Sequence, residues 1–293
     1  MGESTVKILF VINPVAGPDD NSWEEIILNF FKGKDIGIDF FLLGNDPELE
    51  KLEKRIIENS PEKVIAVGGD GTVTMVAKIV AKTKSALGIL PAGSANGMAR
   101  ELNIPVTPQE ALEIIVNGEI KCCDAIKING KDICLHLSDI GLNAQLIKYF
   151  DEGKVRGKMG YAKVMIKTLW HKQKMQVIIH AQNKEIRRHA FMIVLANASK
   201  YGTGAVINPT GSLDDGAFEV VIVRRLALSE LLKMLFRPQP FNPQKIETFS
   251  ATSITLQTTR NVHFQIDGEY MGKIKNLKAD ILPDYINIVL PKT

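Results

Sequence analysis

The sequence predicts a two-domain chain, an N-terminal three-layer α/β domain followed by a C-terminal antiparallel β-sandwich or barrel, and three observations predict it. At 293 residues the chain exceeds one small domain and favours about two. Up to residue 123, apolar strand-like runs alternate with helical patterns, which is the grammar of a parallel sheet covered on both faces. From residue 124 the pattern changes to short alternating segments separated by turn signals, the grammar of an antiparallel sandwich or barrel.

Element by element, "VKILFVINP" reads as a strand, "SWEEIILNFFKG" as a helix, "GIDFFLL" as a strand, "DPELEKLEKRIIEN" as a helix and "KVIAV" as a strand. A helix over 73–82 follows, because Val73, Val76, Ala77 and Val80 recur at helical spacing with Lys78 and Lys82 on the other face. Then come the strand "LGIL", a loop, and the helix "TPQEALEIIVNGE", with Thr107 as its cap and Pro108 at its first position. In the second half "DAIKING", "DICLHLSDIG", "MQVIIHAQ", "EIRRHAFMIVLANAS", "GAFEVVIVRRL", "SITLQTT", "VHFQIDGEYMG" and "YINIVL" read as strands. Asn129-Gly130 and Asp267-Gly268 read as hairpin turns, and helical interruptions are expected at 157–170 and 228–236.

Composition narrows the function classes. Lys plus Arg number 36 against 33 Asp plus Glu, a balance of +3 that carries no nucleic-acid signature. The three cysteines, Cys122, Cys123 and Cys134, form no CxxC pair and have no histidine at metal-ligand spacing, so reduced thiols and a cytoplasmic location are expected. No apolar run approaches the ~18 residues of a membrane span, and the start carries neither a leader pattern nor a myristoylation signal, so any membrane contact is expected to be peripheral.

Three glycine-bearing loops follow apolar strands: Asn13-Pro14-Val15-Ala16-Gly17, Gly68-Gly69-Asp70-Gly71-Thr72, and the run from Pro91 to Gly97. Strand C-termini in such sheets share one edge, so the three together can surround a nucleotide, with backbone N–H groups at a helix start facing phosphate. Asp70 is the anomaly. A carboxylate among phosphates repels them unless a cation intervenes or the acid takes a proton from an attacking hydroxyl, which points to Mg²⁺-nucleotide chemistry. The Walker and protein-kinase signatures are absent.

Four blocks in order, Gly68 to Thr72, "LPAGSANGMAREL" at 90–102, "GSLDDGAFEVVIV" at 211–223, and Asp267-Gly268-Glu269, resemble the soluble diacylglycerol kinase and sphingosine kinase family. The resemblance implies an NAD-kinase/diacylglycerol-kinase-like catalytic domain over 1–123, a lipid-substrate β-sandwich over 124–280, and a tail over 281–293 that returns to the first domain. It implies ATP contacts at Asn13, Pro14, Gly17, Gly68, Gly69, Asp70, Gly71, Thr72, Val73, Thr74, Ser94 and Asn96. It also implies a structural Mg²⁺ site from Asp215 with the carbonyls of Ser212 and Ala217, linked to Asp124. Asp70, Asp267 and Glu269 are the candidate catalytic acids, Glu269 being the family's usual proton acceptor. The partner so implied is a lipid met at the inner membrane face, with no nucleic acid and with room for a homodimer.

Leu43 stands where many relatives place a nucleotide-contacting Thr, and Gln145 where sphingosine kinases carry an Asp for the amino-alcohol head group. The second change favours a neutral acceptor such as diacylglycerol over a sphingoid base. An NAD kinase shares the GGDGT block but leaves "PAGSANGMAR" and the LDDG turn unexplained. A non-catalytic lipid- or nucleotide-binding regulator has no need of all four of Asp70, Asp215, Asp267 and Glu269.

Overall fold

In a computed structural model of the chain, the structure describes residues 7–16, 22–44, 49–153, 173–182, 184–200, 206–209, 211–226 and 241–292. It divides into two units, Met1–Cys123 with Asp284–Thr293, and Asp124–Pro283.

In the first unit, strands β1 (Ile8–Ile12), β2 (Ile38–Leu42), β3 (Lys63–Gly68) and β4 (Ala86–Pro91) pair in parallel in the order β2-β1-β3-β4. Every residue of β1 and β4 is buried, as a parallel strand covered on both faces requires. Helices α1 (Trp23–Phe31), α2 (Leu49–Asn59), α3 (Asp70–Val80), α4 (Gly97–Glu101) and α5 (Pro108–Asn117) supply the cover. The packing is specific at Phe10, whose ring meets Phe31 edge-on at 5.8 Å between centroids and Phe40 at 5.9 Å. Helix starts follow local chemistry. Ser22 caps α1 by accepting the Glu25 N–H at 3.2 Å, and Thr107 stands at the N-cap of α5 before Pro108, though its hydroxyl makes no capping bond. The end of the last strand, β14 (Glu269–Leu290), lies beside β4 in parallel, Ile288 opposite Leu87.

The second unit is built from β6 (Asp132–Cys134), β7 (Leu137–Gly141), β8 (Met175–Ala181), β9 (Lys184–Ala190), β10 (Met192–Ala196), β11 (Phe218–Val223), β12 (Ile246–Ala251), β13 (Ser253–Ile266) and most of β14, with β5 (Glu119–Ile128) leading in. One antiparallel layer runs β12-β11-β10-β7, and the other contains β9 and β8. β13 belongs to both. Its first half pairs with β8 and its last residues with β7, and two register irregularities, at Gln257/Val262 and His263/Gln265, lie in between. The sandwich core between the layers gathers Val177 and Ile179, Ile193 and Leu195, Val220 and Ile222, and Ile254 and Leu256. Val194, Val221 and Ile246 form a second cluster on the opposite face of β10 and β11, which explains why those strands are buried throughout.

Several sequence expectations need correction. The helix placed at 73–82 begins three residues earlier, at Asp70, because the glycine turn itself supplies the first helical residues. α4 occupies what reads as a loop. α6 (Leu142–Gly153) follows β7 directly after Gly141, at φ 106°, where no helix was expected, and β12 has no counterpart among the expected strands. "EIRRHAFMIVLANAS" is two strands broken at Phe191, not one. The interruptions expected at 157–170 and 228–236 lie outside the described residues.

Candidate active site

At the C-terminal ends of β1, β3 and β4 the three loops lie side by side, each held by a bond the sequence does not announce. Asn13 donates from Nδ2 to the Thr72 hydroxyl at 3.3 Å and folds its Oδ1 back onto the Val15 N–H at 3.1 Å. Ala92 donates its N–H to the Gly68 carbonyl at 2.9 Å, stitching the loop after β4 to that after β3. The two loops then touch backbone to backbone: a Cβ on Gly93 would lie 2.5 Å from Gly69 Cα. A Cβ on Gly68 would collide with Thr72, 2.4 Å from Oγ1. The glycines at these positions are required by close approach rather than by positive φ.

Asp70 explains itself here. Its Oδ2 accepts the N–H of Gly97 at 2.9 Å and its Oδ1 that of Met98 at 3.0 Å, so a residue at the start of α3 caps the start of α4. Asn96, the N-cap residue of α4, is not free for that task. It is buried in the left-handed region at φ 49°, and its side chain closes on Gly93, accepting N–H at 2.8 Å and donating to the carbonyl at 2.7 Å. The carboxylate among the phosphate loops is thus a clasp between two of them. Around it stand the first-turn N–H groups of α3, which an α-helix leaves without an intrahelical acceptor. Gly71 is exposed there, as is Ser94 on the neighbouring loop.

Other expected ATP contacts sort by exposure. Pro14 is open to solvent, whereas Val73 is buried and its N–H bonds the Gly69 carbonyl at 3.1 Å, so Val73 belongs to the core of this loop and offers no group to a nucleotide. Thr72 is buried, and Thr74 is half-buried on the second turn of α3. Leu43 is buried with its N–H on the Ile12 carbonyl at 2.8 Å. Gly17 lies outside the described residues.

In the second unit the acids form a different frame. Asp267 and Gly268, at φ 49° and 89°, make the two-residue turn expected between β13 and β14. Asp267 turns its carboxylate back onto the segment before β7, accepting the N–H groups of Leu135, His136 and Leu137 at 2.9, 2.9 and 3.2 Å and the Cys134 thiol at 3.2 Å. Burial, seconded by the Asp267 charge, holds that thiol well above its ordinary range. Both oxygens of Asp267 are thus engaged, and Glu269 is the exposed acid of the turn.

The LDDG turn joins the same frame. Asp124, buried, accepts the Gly216 N–H at 2.7 Å and donates its own N–H to the Leu213 carbonyl at 2.6 Å. Asn197, fully buried, donates to the carbonyls of Asp124 at 2.9 Å and Leu135 at 2.8 Å, tying that turn to the segment Asp267 holds. Asp215 is exposed and accepts the Ala217 N–H at 3.1 Å, while the Ser212 hydroxyl bonds Asp214. Among the described residues no three His, Cys, Asp or Glu side chains are placed to hold a metal. The proposed donors, one carboxylate and two carbonyls, are hard oxygens of the kind Mg²⁺ takes. Behind them Glu219 is pushed above its ordinary range by burial and then by the Asp215 charge, and the Asn208 Oδ1 is buried without a partner among the described residues. A cation beside Asp215 fits that excess of negative charge.

Asn143 and Gln265 were not singled out from the sequence, and the cap formed by Asp139 was not expected. Asp139 on β7 is 1 % exposed and accepts from Asn143 and Gln265 at 2.6 Å each and from the Ala144 N–H at 3.0 Å, which caps α6. Desolvation outweighs those donors and pushes its carboxyl up to about 6. Gln265 passes the connection on, accepting the Gly268 N–H at 2.8 Å. The i, i+4 spacing of Asp139 and Asn143 in "SDIGLN" was the available signal. Gln145 donates to the Tyr149 hydroxyl at 3.0 Å.

Residues 7–128 match the diacylglycerol kinase catalytic domain, and residues 138–290 match the YegS C-terminal NAD kinase beta sandwich-like domain. Among curated relatives, a protein of Chromohalobacter salexigens named "Probable lipid kinase YegS-like" is 27 % identical over 251 residues, 83 % of this chain and 80 % of that protein. The diacylglycerol kinase of Bacillus subtilis is 25 % identical over 238 residues, 78 % of either chain. A crystal structure described as a diacylglycerol kinase from Bacillus anthracis shares the fold, with a TM-score of 0.77, 19 % identity and 97 % of each chain covered.

Proposed function

Since this chain belongs to the lipid kinase family that joins a diacylglycerol kinase catalytic domain to a YegS-type C-terminal sandwich, we propose that it transfers the γ-phosphate of ATP to a hydroxyl of a neutral lipid, most readily diacylglycerol, at a membrane surface. The observation that carries this reading is the Asp70 clasp, which holds two glycine loops and two helix starts in one arrangement suited to a polyphosphate. Asn13, Gly68, Gly69, Gly71, Thr72, Ser94 and Asn96 bind or shape the ATP site, and Asp70 positions it. Glu269, exposed on a turn that Asp267 fixes, receives the proton of the acceptor hydroxyl. Asp215 with the Ser212 and Ala217 carbonyls holds Mg²⁺, and Asp124 fixes that turn. When bound, the cation neutralises charge that the acids of the turn would otherwise leave uncompensated.

The acceptor is argued from Gln145. A sphingoid amine near the reacting hydroxyl gains from an adjacent acid a charge-assisted bond of about 1.5–3 kcal/mol. Gln145 is neutral and engaged with Tyr149, and Asp139 is buried among three donors, so neither supplies the charge. Diacylglycerol needs none. The test is a screen of lipid extract with labelled ATP, read by mass spectrometry, followed by kcat/KM for diacylglycerol and sphingosine in mixed micelles. Diacylglycerol is expected to be preferred by roughly tenfold or more, with sphingosine activity rising in Gln145→Glu. A wild type that phosphorylates sphingosine equally well refutes the substrate assignment.

A further inference from the structure

A basin of about 410 Å³ opens in the second unit where β9, the end of β11 and the residues before β8 and β12 converge, and its lining is cationic: Lys174, Arg187, Arg188, Arg224 and Arg225, with His189 beside them. The carboxylates nearby do not balance these charges. Glu185 takes Arg187 at 2.8 Å, and Glu247 is shared between Arg188, bidentate at 2.7 and 2.8 Å, and Arg224 at 4.0 Å. Arg225 and Lys174 have no carboxylate partner among the described residues. Lys174 instead lies 5.4 Å from the centre of the Phe191 ring. Among the described residues, five cations against two carboxylates leave an excess of three positive charges in one concavity.

The strand geometry makes this a separate place from the acids described above. The LDDG turn enters β11 at Phe218, and Arg224 and Arg225 leave it after Val223, so the six residues of β11, about 20 Å of extended chain, lie between them. The DGE turn pairs with β7 at Ser138, whereas Met192 and Val223, at the basin end, align with Gly141.

We infer that this basin is a second anion site, which takes a phosphate group by the guanidinium forks of Arg224 and Arg225 and the ammonium of Lys174. Guanidinium planes match phosphate oxygens two at a time, and the Glu247 pair holds Arg188 and Arg224 in place before any ligand arrives. The phosphate belongs either to a lipid head group at the membrane surface or to a soluble phosphate ester, and the chemistry of recognition is the same for both.

The experiment compares the full chain with Lys174→Gln/Arg225→Gln, two changes that break no ion pair described here. In one arm, protein is co-sedimented with phosphatidylcholine vesicles with and without phosphatidylglycerol. In the other, inorganic phosphate is titrated against chloride at constant ionic strength while backbone amide signals of the loop after β11 are followed. Loss of about fivefold in partitioning per removed charge, near 25-fold for the pair and confined to the anionic vesicles, assigns a lipid head group. Saturable amide shifts in wild type and none in the variant, without vesicle binding, assign a soluble phosphate. No binding in either arm, or binding that the variant retains, overturns the inference. The readout is binding and not turnover, so its failure leaves the kinase reading untouched.

Discussion

At Asp70 one side chain does the work of an N-cap for a helix that begins 27 residues later. Asparagine at that position keeps one acceptor and turns an NH₂ towards the other backbone N–H. Asp70→Asn is therefore expected to cost about 1 kcal/mol of stability, the usual worth of a cap. Turnover should fall roughly a hundredfold, because a loop displaced by about 1 Å misaligns the transferred phosphoryl group. Denaturant midpoints and kcat/KM on the same samples check this, and normal turnover in the folded variant removes the clasp from the mechanism. Asp139 makes a prediction about pH. Its folded value of about 6 lies above the ordinary value near 3.9, so the folded state holds the proton more tightly. Its contribution to stability is present at low pH and is lost as pH rises from about 4 through about 6, by an amount of order 3 kcal/mol. Asp139→Asn has no such titration. Its stability relative to wild type should improve across that window and stay level above it. Parallel slopes in denaturant titrations at pH 4, 5, 6 and 7 would show that Asp139 is not the group.

Among elements, the contact that most constrains the nucleotide end is the approach of the β3–α3 turn to the β4–α4 loop. It is asymmetric: a Cβ on Gly93 would meet Gly69 Cα at 2.5 Å, whereas a Cβ on Gly69 would meet Gly93 Cα at 3.3 Å. Gly93→Ala must part the loops and is expected to cost about 1–3 kcal/mol or more and to abolish ATP binding. Gly69→Ala needs a shift of a few tenths of an ångström and should cost less than half as much. Calorimetric titration with ATP and chemical denaturation of both variants test the order, and equal effects would mean the loops separate without cost. In the second unit the Asp267 turn, Asn197 and Gln265 play the corresponding part, linking β7, α6 and the LDDG turn through buried polar bonds.

For the whole molecule, the expected consequence of a cation at Asp215 is thermodynamic. A ligand that binds only the folded state stabilises it by about 2.7 kcal/mol at a hundredfold excess over Kd. Melting in excess Mg²⁺ should exceed melting in chelator by several degrees, and Asp215→Ala should abolish the difference while leaving the chelated midpoint near that of wild type. An identical midpoint with and without chelator counts against a Mg²⁺ site in the LDDG turn.

The sequence by itself determined the elements whose cause is local. Apolar runs made the four parallel strands, Ser22 and Pro108 marked helix starts, and Asp267-Gly268 made a hairpin, because φ preferences and side-chain periodicity act within a few residues. It also placed the candidate loops, since a glycine turn after a buried strand is a local pattern. What it could not supply was any fact about partners far along the chain. α6 depends on Asp139, a buried cap with donors four and five residues on, and the break at Phe191 is where the chain passes from the layer of β8 and β9 to that of β7, β10 and β11. Which backbone N–H groups Asp70 and Asp267 accept, in the case of Asp267 from backbone 130 to 132 residues away, was settled only when folding brought those donors within 3.2 Å, because hydrogen-bond partners so far apart in the chain leave no local pattern.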